Sequence, residues 1–140
     1  MKTVWMTLSA VAALSGLWML EAQPKQSSNF TGGTVTALTE GNKGAIAHFR
    51  FDAGSRSKWH SHGEGQIILV EEGVGLMQER GGPIIELHAG ESIFTKGGVT
   101  HWHGASPKEG GVQYNVTRGD IMWMEEVTDK DYHGPAKRLR

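Results

Sequence analysis

The chain has 140 residues, a formal net charge of −1 and no cysteine. That length suits a single domain, and the near-zero charge leaves neither a basic footprint for nucleic acid nor an acidic tail. Without thiols there are no disulfides, thiolate metal sites, iron–sulfur clusters or cysteine nucleophile, so a bound metal must take nitrogen and oxygen ligands.

Residues 1–22 differ from the rest. Lys2 supplies a short positive end, Val4 to Leu20 is mostly apolar, and Ala22 is a small residue before a cut. This reads as a secretory signal peptide, with an uncleaved anchor as the alternative. The run falls short of the roughly 20 apolar residues that a membrane span needs. Cleavage would leave a periplasmic or secreted protein with no membrane segment. Residues 23–33, with Pro24, Ser27, Ser28, Gly32 and Gly33, read as a flexible leader.

The predicted domain runs over 34–134. Thr34 to Thr39 is β-rich. Ala45 to Asp52 alternates, with Ala47, Phe49 and Phe51 on one face and His48 and Arg50 on the other. Gln66 to Glu72 holds the run Ile67-Ile68-Leu69-Val70, which predicts a strand buried on both sides. Gly73-Val74-Gly75 leads into a further strand, Leu76 to Arg80. The turn Gly81-Gly82-Pro83 returns the chain through Ile84 to His88 as a hairpin. Ser92 to Thr95, His101 to Ala105, Val112 to Arg118 and Ile121 to Val127 follow as strands. Thr128 and Asp129 predict a short helical turn. Residues 135–140, with Pro135 and a basic end, read as a frayed tail. Short strands, twenty scattered glycines and no long helical period predict an all-β sandwich or barrel.

The chemistry concentrates in two stretches. In Trp59-His60-Ser61-His62-Gly63-Glu64-Gly65-Gln66 the two histidines lie two apart, which on a strand puts both rings on one face. Gln66, four residues on, can reach that face. His101-Trp102-His103 repeats the His-x-His pattern. Convergence of the two stretches would give one divalent metal three imidazoles, His60, His62 and His101, and an amide oxygen from Gln66. Glu64 is the rival fourth ligand and would add a carboxylate. Three imidazoles and an amide leave the 2+ charge uncompensated, which favours Lewis-acid chemistry over oxygen chemistry. His103 shares the face of His101 and reads as a general base or a rim histidine. Gln113 and Asn115 share the inward face of their strand. His48 and His88 read as structural or exposed, and His133 as a tail residue. Trp59, Trp102 and Trp123 read as packing or interface anchors.

These residues carry a resemblance. Gly54, His60, His62, Gln66 and Gly73, followed by Gly90, Lys96, Gly98 and His101, are spaced like the two motifs of the cupins. The departures are Gln66 for a glutamate, Lys96 for a proline and Ala105 for an asparagine. The resemblance implies a double-stranded β-helix, the cupin jelly-roll barrel. His101-Trp102-His103-Gly104-Ala105 with Pro107, then Trp123-Met124-Glu125, Val127-Thr128-Asp129 and Tyr132, is similar to the small bacterial cupin hydroxynitrile lyases, over roughly 45–132.

In that family three histidines and a glutamine hold the metal, so Gln66 agrees with it. The resemblance implies one divalent ion, manganese first, with iron, zinc, nickel or cobalt as alternatives. It implies a lyase that cleaves or forms a cyanohydrin C–C bond, with His103 as base and Ala47, Phe49, Gln113 and Asn115 lining the substrate pocket. The position of Gln113 usually carries a histidine in that family. A dioxygenase acting on a diketone or enol, and a non-catalytic cupin that binds a metal or small ligand, are the other readings. The expected partners are a small-molecule substrate and further copies of the chain, as a homodimer or larger homo-oligomer, with no nucleic acid.

Overall fold

A computed structural model describes residues 28–39 and 45–139. The expected signal peptide, residues 1–22, lies outside the described residues, as does the leader up to residue 27.

The strands in chain order are β1 (Phe30–Thr31), β2 (Val35–Ala37), β3 (Ile46–Phe51), β4 (Arg56–Ser57), β5 (His60–His62), β6 (Gly65–Glu79), β7 (Ile84–His88), β8 (Ser92–Lys96), β9 (His101–Ala105), β10 (Gly111–Arg118), β11 (Ile121–Trp123) and β12 (Ala136–Arg138). Among the described residues there is one short helix, α1 (Asp129–Tyr132), which precedes β12. Hydrogen bonding links them in the order β1-β4-β9-β6-β10-β3-β2, with β5 beside β9, β11 beside β5, β7 and β8 beside β6, and β12 beside β7. The pairs are antiparallel except β12 with β7. The result is a nearly closed antiparallel barrel of the double-stranded β-helix type.

Strand β6 builds the corner between the two sheets. Its first half pairs with β8 and β10, its second with β7 and β9. The sequence predicts two strands here, because Gly73-Val74-Gly75 looks like a break. The chain instead runs through as one bent strand. The pairing with β10 slips by one residue near Glu71, a β-bulge that bends the strand. At Gly73 φ is 70°, and a Cβ there would lie 2.0 Å from the carbonyl oxygen of Gly110. Only glycine tolerates both conditions.

The run Ile67-Ile68-Leu69-Val70 is not buried on both sides. Ile68 and Val70 point inward, whereas Ile67 and Leu69 face outward. The reason is the single layer: among the described residues no helix covers the outer face of β8, β6 and β10.

Two apolar clusters form the core. Ile68, Val70, Met77 and Leu87 pack together within the barrel. Behind β9 and the second half of β6, Leu76 and Trp102 pack with Trp59, Ile84, Val127 and Tyr132. The last two come from the C-terminal segment, which wraps over the back of the sheet. Thr128 caps α1 by accepting a hydrogen bond from the Asp131 amide at 3.1 Å. A four-residue helix has no stability of its own, so it is the burial of Tyr132 that holds the turn.

Paired structure extends past 34–134 at both ends. In the stretch expected as a leader, Phe30 and Thr31 pair with Ser57 and Arg56. In the stretch expected as a frayed tail, Ala136–Arg138 pairs with Ile84–Glu86, and Leu139 packs on the inner cluster. Both segments satisfy backbone groups on strands that otherwise end at an open edge.

Candidate metal centre

Antiparallel pairing places the two His-x-His stretches side by side. His60 on β5 lies opposite His101 on β9. Alternation then turns His60, His62, His101 and His103 inward, while Trp102 goes to the back of the sheet. The ring centroids of His60 and His101 are 4.4 Å apart, of His60 and His62 5.1 Å, and of His62 and His101 5.6 Å. One ligand nitrogen from each of these three lies within 4.8 Å of the others, so the group could hold a metal ion.

Backbone carbonyls orient two of the rings. His60 Nδ1 donates to the Lys58 oxygen at 2.9 Å, and His101 Nδ1 donates to the Val99 oxygen at 3.0 Å. A carbonyl only accepts, so both Nδ1 atoms carry the proton and both Nε2 atoms keep a lone pair for the centre. Gln66 on β6 brings Oε1 to 2.5 Å from His101 Nε2, and its Nε2 reaches Asn115 Oδ1 at 3.4 Å. Two lone-pair atoms thus face each other across the centre. Both ring nitrogens of His62 are buried without a protein partner. Buried polar atoms in proteins generally find a partner, and the Nδ2 of Asn115, which faces the same space, also has none. This donor set of lone pairs fits a divalent cation.

Electrostatics agree with that use. Burial, and next the neighbouring His101, hold the His60 pKa down at about 3. The same causes hold His62 at about 4. Burial also lowers His101. All three rings are therefore neutral near pH 7, the form in which imidazole binds a metal.

His103 is buried beside the cluster, with its centroid 5.4 Å from His60 and 5.7 Å from Phe51. Burial, followed by the nearby His60, puts its pKa well below the ordinary histidine value. Its Nδ1 meets Gln113 Oε1 at 3.0 Å. Gln113 and Asn115 point inward from β10, opposite Phe49 and Ala47 of β3. The structure thus brings His60, His62, His101, Gln66, His103, Gln113 and Asn115 together as buried side chains, with Phe49 and Ala47 half-buried on the neighbouring strand.

Glu64, the rival ligand, does not join them. Its side chain is 63% exposed and pairs with Arg118 at 3.3 Å. The tight turn at Gly63-Glu64 breaks the strand alternation that the rival reading assumed. His48 stacks on Tyr114 and pairs with Glu71, and His88 pairs with Glu86, both away from the centre. His133 packs against Tyr132.

Two residues at the site escape the sequence reading. Trp123 pairs with His60 across β11 and β5, and its ring lies 4.7 Å from that imidazole. It was expected to be a packing or interface anchor. Phe30 sits 5.6 Å from Phe49, 5.8 Å from Phe51 and 6.4 Å from Trp123, completing an aromatic collar beside the histidines. A lone aromatic in the polar run Ser27-Ser28-Asn29-Phe30-Thr31 was the available signal.

Comparison with known proteins agrees with this geometry. Residues 47–117 match the family model described as "Cupin domain". An (R)-mandelonitrile lyase of Granulicella tundricola is 37% identical over 92 residues, covering 63% of this chain and 70% of that protein. A cupin-like protein from Thermotoga maritima superposes with a TM-score of 0.65 at 35% identity, over 81% of this chain and 93% of that one. The polyketide cyclase RemF from Streptomyces resistomycificus shares the fold at 20% identity, with a TM-score of 0.55 over 74% of this chain and 78% of its own. With matched motifs, a nearly closed barrel and an inward three-histidine group, the chain belongs to the cupin family.

Proposed function

We propose that this cupin is a metal-dependent lyase that cleaves or forms the C–C bond of a cyanohydrin. The observation that carries the reading is the buried neutral His103 beside the three-histidine group. The likeness to a mandelonitrile lyase supports it. His60, His62, His101 and Gln66 would hold the ion, manganese in our reading. Bound there, the ion would supply Lewis acidity toward a substrate oxygen.

The rest is the work of side chains. The collar of Phe30, Phe49 and Trp123 receives an aryl or other flat apolar substituent. Asn115, whose Nδ2 has no partner within the protein, offers its amide toward the polar end of the substrate, and Gln113 lines the pocket beside His103. His103 takes the proton of the cyanohydrin hydroxyl. The O–H electron pair becomes the second bond of the carbonyl, the C–C bond breaks, and cyanide leaves with that bond's electrons. His103 returns its proton to cyanide, so the products are an aldehyde and HCN. Burial favours the neutral ring and so resets the base after each turnover.

The test is direct. Manganese-loaded protein given mandelonitrile should release benzaldehyde well above a metal-free control. Release no faster than the control would sink the lyase reading.

A further inference from the structure

The amide of Gln113 stands where the similar lyases usually carry a histidine, and its surroundings give it a defined orientation. Gln113 is buried on β10. One end of its amide lies 2.8 Å from the carbonyl oxygen of Gly104, and the other lies 3.0 Å from His103 Nδ1. The carbonyl can only accept, so the end facing it is Nε2. The opposite assignment would press two acceptors together in a dry interior, which is costly. Oε1 therefore faces His103, and His103 Nδ1 must carry the proton.

The amide has little freedom to turn. A Cβ at Gly75 would lie 2.8 Å from Gln113 Nε2 and 2.7 Å from a Val70 methyl, so the absent side chain leaves the space that the amide fills. His103 is fixed as well, its backbone amide donating to Ser57 Oγ at 3.1 Å.

We propose that Gln113 is a positioning residue that holds His103 in its Nδ1–H tautomer, leaving the Nε2 lone pair to take the substrate proton. This rests on the lyase reading for its purpose, but not for its geometry. In water the imidazole has two neutral tautomers, and the hydrogen bond made by one nitrogen decides which is present. A ring in the other tautomer would present a proton where the reaction needs a lone pair. Gly104 thus sets the amide, the amide sets the imidazole, and Gly75 makes room for the amide.

Nitrogen-15 spectra of the histidine rings in substrate-free, zinc-loaded protein report the tautomer directly. The wild-type His103 should be Nδ1–H. Gln113→Leu, which removes the acceptor at similar volume, should abolish that preference. Gln113→Glu, whose neutral acid offers the same donor and acceptor, should restore it. Gly75→Ala, which displaces the amide without changing its chemistry, should act like Gln113→Leu. An Nε2–H ring in the wild type would overturn the proposal. So would an unchanged tautomer in both Gln113→Leu and Gly75→Ala. With mandelonitrile, Gln113→Leu should lower kcat roughly 10- to 100-fold, the usual effect of losing a partner that orients a site group, with little change in KM. If the wild type turns over no cyanohydrin, the lyase reading fails, while the tautomer spectra still decide the role of Gln113.

Discussion

The indole of Trp123 lies 4.7 Å from the imidazole of His60, with the ring planes inclined at 39°. The contact arises because β11 pairs with β5 in a register that sets Trp123 opposite His60. It places a fluorophore against a proposed metal ligand. Trp59 and Trp102, by contrast, pack behind the sheet. Loading with cobalt should therefore quench tryptophan emission, and Trp123→Phe should remove most of the quenching while metal content stays stoichiometric. Equal quenching in the variant would refute the contact.

The lone pairs that converge on the centre predict a graded response to mutation. His60→Ala, His62→Ala and His101→Ala should each lose metal on gel filtration, measured by elemental analysis. Glu64→Ala should retain it in full, because Glu64 is at the surface, paired with Arg118. Metal loss in the Glu64 variant would revive the carboxylate ligand.

Acid should act on stability before it acts on metal binding. His60 and His62 have folded pKa values lowered to about 3 and about 4. In the unfolded chain the same rings titrate near ~6.5. Between those limits the unfolded state binds more protons, so the stability of metal-free protein should fall as pH drops from ~6.5 toward 4, and be flat above. Protons compete for the folded ligands only near the lowered values. Metal affinity should therefore change little from pH ~7 to ~5 and drop below that. Denaturant titrations and metal-binding isotherms across this range check both halves.

The back of the sheet that carries the histidines depends on Tyr132. Its hydroxyl donates to the Ala105 oxygen at 2.7 Å, and the Arg56 guanidinium lies 4.4 Å from its ring centroid. Burial pushes its pKa up to about 12 despite Arg56, so it remains a donor across the working range of pH. Tyr132→Phe leaves the buried Ala105 carbonyl without that donor and should cost about 1–3 kcal/mol, read by denaturant unfolding.

The outer face of β8, β6, β10 and β3 carries Phe94, Ile67, Val116 and Ile46 in one cross-strand row. Phe94 is 58% exposed and Ile46 57%. Exposed apolar surface of this kind is a feature of association sites, and we propose it as the face through which the homo-oligomer expected from the sequence would form. Sedimentation should find a dimer for the wild type and a monomer for Phe94→Lys combined with Ile67→Lys. A dimer in that variant would place the interface elsewhere.

Much of this molecule can be read from local pattern. The alternation of Ala47, Phe49 and Phe51, the turn at Gly81-Gly82-Pro83, and the two His-x-His stretches each reflect a two-residue period or a φ requirement that neighbours alone impose. So do the all-β class and the inward face shared by His60 with His62 and by His101 with His103. The fate of Glu64, the role of Trp123, the ordering of Phe30 and the pairing of Ala136–Arg138 could not be read that way. Each depends on which strand lies alongside, and pairing register joins residues far apart in the chain. Ile67 and Leu69 make the same point, since an apolar run does not say whether a second layer covers it. Sequence by itself determined the kinds of donor available and the spacing that lets them share a face. Only the tertiary structure decided which donors meet, because closing the barrel sets β5 against β9 and turns four imidazoles toward one enclosed space.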